Sequence, residues 1–222
     1  MKILDLFCGT KSVANVFEEM GHEVVTLDFD EQFKPTIYAD ILTVTAEQLQ
    51  ALGPFDMVWA SPPCECFSVA SIGAHWTGGK RAYEPKDDNA RTAISIVRHT
   101  MNLIWELNPE FYFVENPRGL LRKMPVMNGY YRTTVWYCQY GDDRAKPTDI
   151  WGRFPKAFVA RTCKNYTQDE ISGKVPKHCH HAVAQRGART GTQGRSNALE
   201  RARIPRQLII EILEAYEREK EC

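Results

Sequence analysis

The stretch DLFCGTKS, residues 5–12, decides the fold. It closes a short apolar run, breaks at Gly9, and leads into Val13, Val16, Phe17 and Met20 at helical spacing. Gly21 then ends that helix. A strand, a tight turn and a helix in this order open an α/β unit. The Gly-Thr-Lys-Ser within it suggests a phosphate-binding loop at first sight. Such a loop needs glycine directly before the lysine and another glycine five residues earlier. Here Thr10 precedes Lys11, and Leu4 and Asp5 stand where the earlier glycine would be.

Outward from this stretch the alternation continues. Residues 23–28 (EVVTLD) predict a second strand, 45–52 a short helix, and 55–60 (FDMVWA) a third strand ended by Ser-Pro-Pro. Residues 71–89, rich in Gly, Lys and Asp, predict a loop. The stripe Ile94, Val97, Met101, Ile104 and Leu107 predicts a helix over 88–107. Residues 111–115 (FYFVE) predict a fourth strand, halted by Asn-Pro, and 133–137 a fifth. After Trp151 periodicity fades until a helix over 204–219, with Pro205 in its first turn. The expected fold is α/β: a Rossmann-like parallel sheet with helices on both faces. The expected division is a catalytic domain over 1–151, a small irregular lobe over 152–203, and a C-terminal helix over 204–222 that returns to the catalytic domain.

The 222 residues, 43% hydrophobic and 25% charged, suffice for one large core. No apolar run is long enough to span a bilayer, and the first residues are too soon interrupted for a signal peptide, so a cytoplasmic protein is expected. Seven cysteines, odd in number and irregular in spacing, predict reduced thiols rather than a disulfide framework. The net charge of zero hides an asymmetry. Residues 1–60 carry three basic and ten acidic side chains, a net −7, whereas residues 141–210 carry fourteen basic and six acidic, a net +8. The basic part suits a polyanion such as nucleic acid, or an ordinary solvated surface.

Asp28 stands at the tip of the second strand, where doubly wound folds take a ribose hydroxyl pair, and Asp40 follows in YADIL. Together they suit an adenosine-bearing cofactor whose tail has no phosphates, such as S-adenosylmethionine. Either acid alone is equally well explained as a turn residue. Cys64, in SPPCECFS (residues 61–68), leaves the third strand at the ligand-binding edge and is a candidate nucleophile. Cys66 is expected to be buried and inert. Glu115, in VENPRG (residues 114–119), ends the neighbouring strand and is a candidate general acid. Cys163, His178, Cys179, His180 and His181 lack paired Cys-x-x-Cys spacing and predict exposed loop residues rather than a metal site.

In chain order these pieces resemble the DNA (cytosine-5)-methyltransferases. DLFCGTKS is similar to the family's Phe-x-Gly-x-Gly cofactor loop. SPPCECFS resembles its Pro-Cys-Gln motif, with Glu65 in place of Gln, and ENPRG its Glu-Asn-Val motif. QYGDDRAKPTDIWG resembles the segment leading into Gln-x-Arg-x-Arg, and GRSNALERARIP the last motif, where an Asn returns to the cofactor. The likeness covers residues 3–213. It implies S-adenosylmethionine held by Phe7, Gly9, Thr10, Lys11, Ser12, Asp28, Phe29, Asp40, Ile41, Pro62 and Asn197. It implies a flipped-out cytosine attacked at C6 by Cys64, with Glu115 at N3, and either Arg144 or Lys146 at the cytosine O2 or a flanking phosphate. The loop over 75–89 would close over double-stranded DNA. Ser68, Arg118, Arg186, Arg189 and Arg195 would contact the DNA, and the protein would act as a monomer.

The chain is short for the family. Its lobe has room to read only a short, frequent target, as expected of a compact phage-like member. Lys11 stands where the family has a small residue. A lysine there either points to solvent or pairs with a carboxylate of the cofactor. Pairing with the extra carboxylate of carboxy-S-adenosylmethionine would make the product carboxymethylcytosine. An RNA or free-nucleotide substrate, and a catalytically inactive DNA-binding relative, are the competing functions. The presence of both Cys64 and Glu115 argues against the inactive relative.

Overall fold

The computed structural model describes residues 1–79, 82–163 and 197–221. In chain order the elements are β1 (Lys2–Leu6), α1 (Ala14–Glu19), β2 (Glu23–Asp28), β3 (Ile37–Tyr38), α2 (Ala46–Gln50) and β4 (Met57–Ala60). They continue as α3 (Ile72–His75), β5 (Trp76–Thr77), β6 (Glu84–Pro85), α4 (Asp88–Leu107) and β7 (Phe111–Pro117). The chain closes with β8 (Arg132–Trp136), β9 (Pro147–Arg153), α5 (Ala198–Ala202) and α6 (Arg206–Lys220).

The main sheet has seven strands in the order β3-β2-β1-β4-β7-β9-β8. β3, β2, β1, β4 and β7 pair in parallel, while β9 runs antiparallel to both β7 and β8. The expected all-parallel sheet is therefore corrected at one edge. The strand the sequence hid is β9: Thr148 and Asp149 in its first half are fully buried polar residues, which erases the apolar signature of a strand. Asp149 is tolerated there because Arg122 and Thr134 bond its carboxylate (Arg122 Nε to Oδ2, 2.7 Å). Residues 71–89 also differ from expectation. They hold α3 and the β5–β6 hairpin, fastened by Trp76, which is buried, stacks on Phe67 at 5.8 Å and donates from Nε1 to the Cys66 carbonyl at 2.7 Å.

Strand alternation sends side chains to two cores, one on each face of the sheet. Leu4, Leu6, Val58 and Ala60 pack with Val97, Met101 and Ile104 of α4. Ile3, Met57, Trp59 and Phe113 pack with Phe17 of α1 and Leu208, Ile209 and Ile212 of α6. Each such fully buried side chain contributes about 1.5–3 kcal/mol, so the C-terminal helix is part of the main core. α4 starts where Asp87 Oδ1 accepts the Ala90 amide at 2.8 Å, and stops where Asn108 turns left-handed (φ 43°). No helix among the described residues is long and apolar enough to cross a membrane.

Candidate active site

The order of the sheet reverses between β1 and β4, and ligands of doubly wound sheets bind in the crevice at such a point. Strand register sets what lies there. Leu6 pairs with Leu27 and Ala60, and Ala60 pairs with Val114. One residue beyond that row stand Phe7, Asp28, Ser61 and Glu115, at the carboxyl ends of β1, β2, β4 and β7.

The loop after β1 bends through the left-handed region three times, at Phe7 (φ 62°), Gly9 (φ 45°) and Lys11 (φ 56°). Two of these are not glycine, which marks a backbone held by its surroundings. Part of the hold is Asp28. Its buried carboxylate accepts from the Gly9 amide (2.9 Å) and the Asp30 amide (3.0 Å), tying the exits of β1 and β2 together. A carboxylate has lone pairs beyond those two bonds. Beside it Phe29 leaves its ring 66% exposed. A buried carboxylate next to an open aromatic face fits an adenosine group, so the residues present suit the cofactor the sequence implies.

Asp40 is exposed and caps the turn that follows it, with Oδ1 accepting from the Leu42 amide at 3.0 Å; Ile41 beneath it is buried. Lys11 donates from Nζ to the Lys34 carbonyl at 2.7 Å, and Ser12 Oγ accepts the Ile204 amide at 3.1 Å. Thr10 is half-buried in the same loop. Asn197 caps α5 through Oδ1, which accepts the Leu199 amide at 2.9 Å.

Cys64 follows Pro62 and Pro63 and opens a 3₁₀ turn, with the Phe67 amide donating to its carbonyl at 3.0 Å. The turn is fixed from β7: Asn116 Nδ2 donates to the carbonyl of the buried Pro62 at 3.0 Å, and the Leu120 amide donates to the Phe67 carbonyl at 2.7 Å. Gly119 is required by this approach, since a Cβ there would sit 2.3 Å from the Phe67 carbonyl oxygen. Burial pushes the Cys64 thiol up to about 11; the charges of Glu65 and Glu115 add to the rise and that of Lys146 opposes it. Cys8, in the cofactor loop, is raised further, to about 12, by burial and then by Asp5 and Asp28. Ser68 Oγ shares a hydrogen bond with Ser71 Oγ at 2.9 Å, and the Arg118 guanidinium lies over the Trp136 ring at 5.5 Å.

Glu115 is buried. Its Oε1 accepts from the Tyr137 hydroxyl at 2.8 Å and lies 3.8 Å from Lys146 Nζ. Lys146 also donates to the Arg201 carbonyl at 3.0 Å. Arg144 is equally buried, but its guanidinium is engaged by Asp142 and by the carbonyls of Glu200 (3.2 Å) and Arg201 (3.0 Å). Of the two cations left open by the sequence, Lys146 is the one beside Glu115. The arginines at 186, 189 and 195 and the Cys/His run at 178–181 lie outside the described residues; Cys163, expected to be exposed, is instead buried. Sequence reasoning missed Tyr137, Asn116 and Gly119 as parts of this site. Asn116 and Gly119 stood in the quoted ENPRG, whereas nothing local marks Tyr137.

A family described as C-5 cytosine-specific DNA methylase matches residues 1–128 of this sequence. The "Probable DNA (cytosine-5)-methyltransferase" of frog virus 3 (isolate Goorha) is 31% identical over 223 residues, covering 96% of this chain and 99% of that protein. The chain belongs to the C-5 cytosine-specific DNA methylases. As a methylase of this family it is an enzyme that depends on S-adenosylmethionine. The type II methyltransferase M.XorII of Xanthomonas oryzae pv. oryzae is 27% identical over 53% of this chain but only 28% of its own length. The methyltransferase EhMeth of Entamoeba histolytica shares the fold, with a TM-score of 0.52 at 16% identity over 74% of this chain. The methylase spans 57% of that structure's length but nearly all of the viral relative.

Proposed function

We propose that this methylase modifies cytosine at C5 in double-stranded DNA through a transient bond between Cys64 Sγ and C6 of a base taken out of the stack. The observation that carries the reading is a thiol and a carboxyl at the ends of adjacent strands of one crevice, with the thiol within reach of the carboxylate's charge. Bound S-adenosylmethionine supplies an electrophilic methyl group. Phe7, Gly9, Thr10, Ser12, Asp28, Phe29, Asp40, Ile41, Pro62 and Asn197 are the residues we assign to holding it, with Asp28 toward the ribose and Phe29 against the adenine.

The Cys64 thiol passes its proton to water, and the resulting thiolate adds to C6. The electrons of the C5–C6 double bond move into the ring, where Glu115 protonates or hydrogen-bonds N3. C5 is then nucleophilic toward the methyl group. Loss of the C5 proton to water breaks the S–C6 bond, expels Cys64 as thiolate and returns the N3 proton to Glu115. Lys146 stabilises the thiolate and stands beside Glu115, toward the cytosine O2. Arg144 instead holds the carbonyls of α5. Ser68, Arg118 and the arginines at 186, 189 and 195 are assigned to DNA, and residues 152–203 to the lobe that meets it. The bond from Lys11 to the Lys34 carbonyl gives the ammonium a partner within the protein, which supports the methyl donor over the carboxylated one.

The test is to incubate the protein with duplex DNA and S-adenosylmethionine, digest to nucleosides and weigh them. Deoxycytidine heavier by one CH₂, absent with Cys64→Ser, is expected. Unmodified cytosine in every nucleic acid tried contradicts the reading.

A further inference from the structure

We infer that Tyr137 is a positioning residue for Glu115: its hydroxyl occupies Oε1 and so leaves Oε2 as the oxygen that carries the acid proton toward the base. The inference rests on the proposed meeting of Glu115 with cytosine N3. A carboxyl group has two equivalent oxygens, and a proton on the wrong one faces away from its target. In this site they are not equivalent. Tyr137 Oη donates to Oε1 at 2.8 Å, and Lys146 Nζ lies 3.8 Å from the same oxygen. Among the described residues no hydrogen bond reaches Oε2.

The phenol has one proton, and its direction is set. The phenol donates it to Glu115 Oε1, while the neighbouring Thr148 hydroxyl donates to the Lys146 carbonyl at 3.3 Å. Burial, with the Glu115 charge next, keeps the phenol well above its ordinary titration range, so it stays a donor across the working pH. Tyr137 is fully buried in the turn after β8, and the Lys146 ammonium sits 4.6 Å from the centre of its ring. One side chain therefore locates both the carboxyl and the cation beside it.

Tyr137→Phe keeps the ring and removes only the hydroxyl. The expected result is a fall in kcat of about tenfold or more with KM for DNA unchanged. Loss of a donor to the carboxylate raises the Glu115 pKa, so the limb on which activity falls with rising pH moves to higher pH. Unchanged kcat and pH profile overturn the inference. A carboxyl-carbon NMR titration of the free protein gives a readout independent of activity: Glu115 titrates higher in Tyr137→Phe, and an unmoved titration also overturns it. Wild-type protein inactive on all DNA sinks the methyl-transfer reading, and this titration then decides whether Tyr137 holds the carboxyl. If Tyr137→Phe does not fold, 3-fluorotyrosine at position 137, a stronger donor of nearly the same shape, moves both the Glu115 titration and the pH limb to lower pH, and an unmoved titration overturns the inference.

Discussion

At the scale of single residues, the nucleophile we propose, Cys64, is a protonated thiol in the free protein. With Cys64 raised to about 11, chiefly by burial, little thiolate exists at neutral pH. Its charged neighbours then tune how much forms. Glu65, an exposed carboxylate in the position after the nucleophile, works against ionisation, and Lys146 works for it. Glu65→Gln removes the opposing charge and should lower the Cys64 titration midpoint, whereas Lys146→Gln should raise it. Iodoacetamide labelling of the Cys64 peptide across pH, followed by mass spectrometry, measures both; a midpoint that rises in Glu65→Gln contradicts the assignment. Cys64 and Glu115 were legible in the sequence because each stands where an apolar strand run gives way to proline: Cys64 just past Pro62 and Pro63, Glu115 two residues before Pro117. The choice between Arg144 and Lys146 was not, since two basic residues at adjacent alternate positions differ only in the partners that folding gives them.

At the scale of elements, the site depends on how the ends of β4 and β7 are clamped together. Asn116 holds the Pro62 carbonyl, and the chain past β7 presses against Phe67 so closely that only glycine fits at 119. Gly119→Ala forces the Phe67 backbone, and with it the Cys64 turn, to move. A stability loss of about 1–3 kcal/mol is expected, read as a lowered denaturation midpoint, with a larger proportional loss of methyl transfer. Activity retained at lowered stability would show that the turn tolerates the shift. α4 was readable end to end because its apolar stripe has one period and its cap is an aspartate. β9 was unreadable because Thr148 and Asp149 are buried polar residues satisfied by Arg122 and Thr134, partners far apart in sequence. Its antiparallel direction follows from pairing, which no local pattern carries.

At the scale of the whole molecule, the parallel half of the sheet was legible from strand–helix alternation, whereas the switch point between β1 and β4 is a matter of strand order, which that alternation does not carry. The acidic first sixty residues supply the carboxylates we assign to the cofactor, and the basic stretch from 141 supplies Lys146 beside Glu115 and the arginines assigned to DNA. The near-complete overlap with a viral relative of similar length agrees with a compact member of the family. The central claim is a covalent bond from Cys64 to the base, and it can be trapped. Fluorine at C5 cannot leave as a proton does, so in duplex DNA carrying 5-fluorocytosine the bond from Cys64 to C6 would persist after methyl transfer. We predict a denaturant-stable protein–DNA adduct, dependent on S-adenosylmethionine, whose linked peptide contains Cys64. Methylation of ordinary DNA without any adduct on fluorinated DNA, or an adduct at another cysteine, would contradict the account.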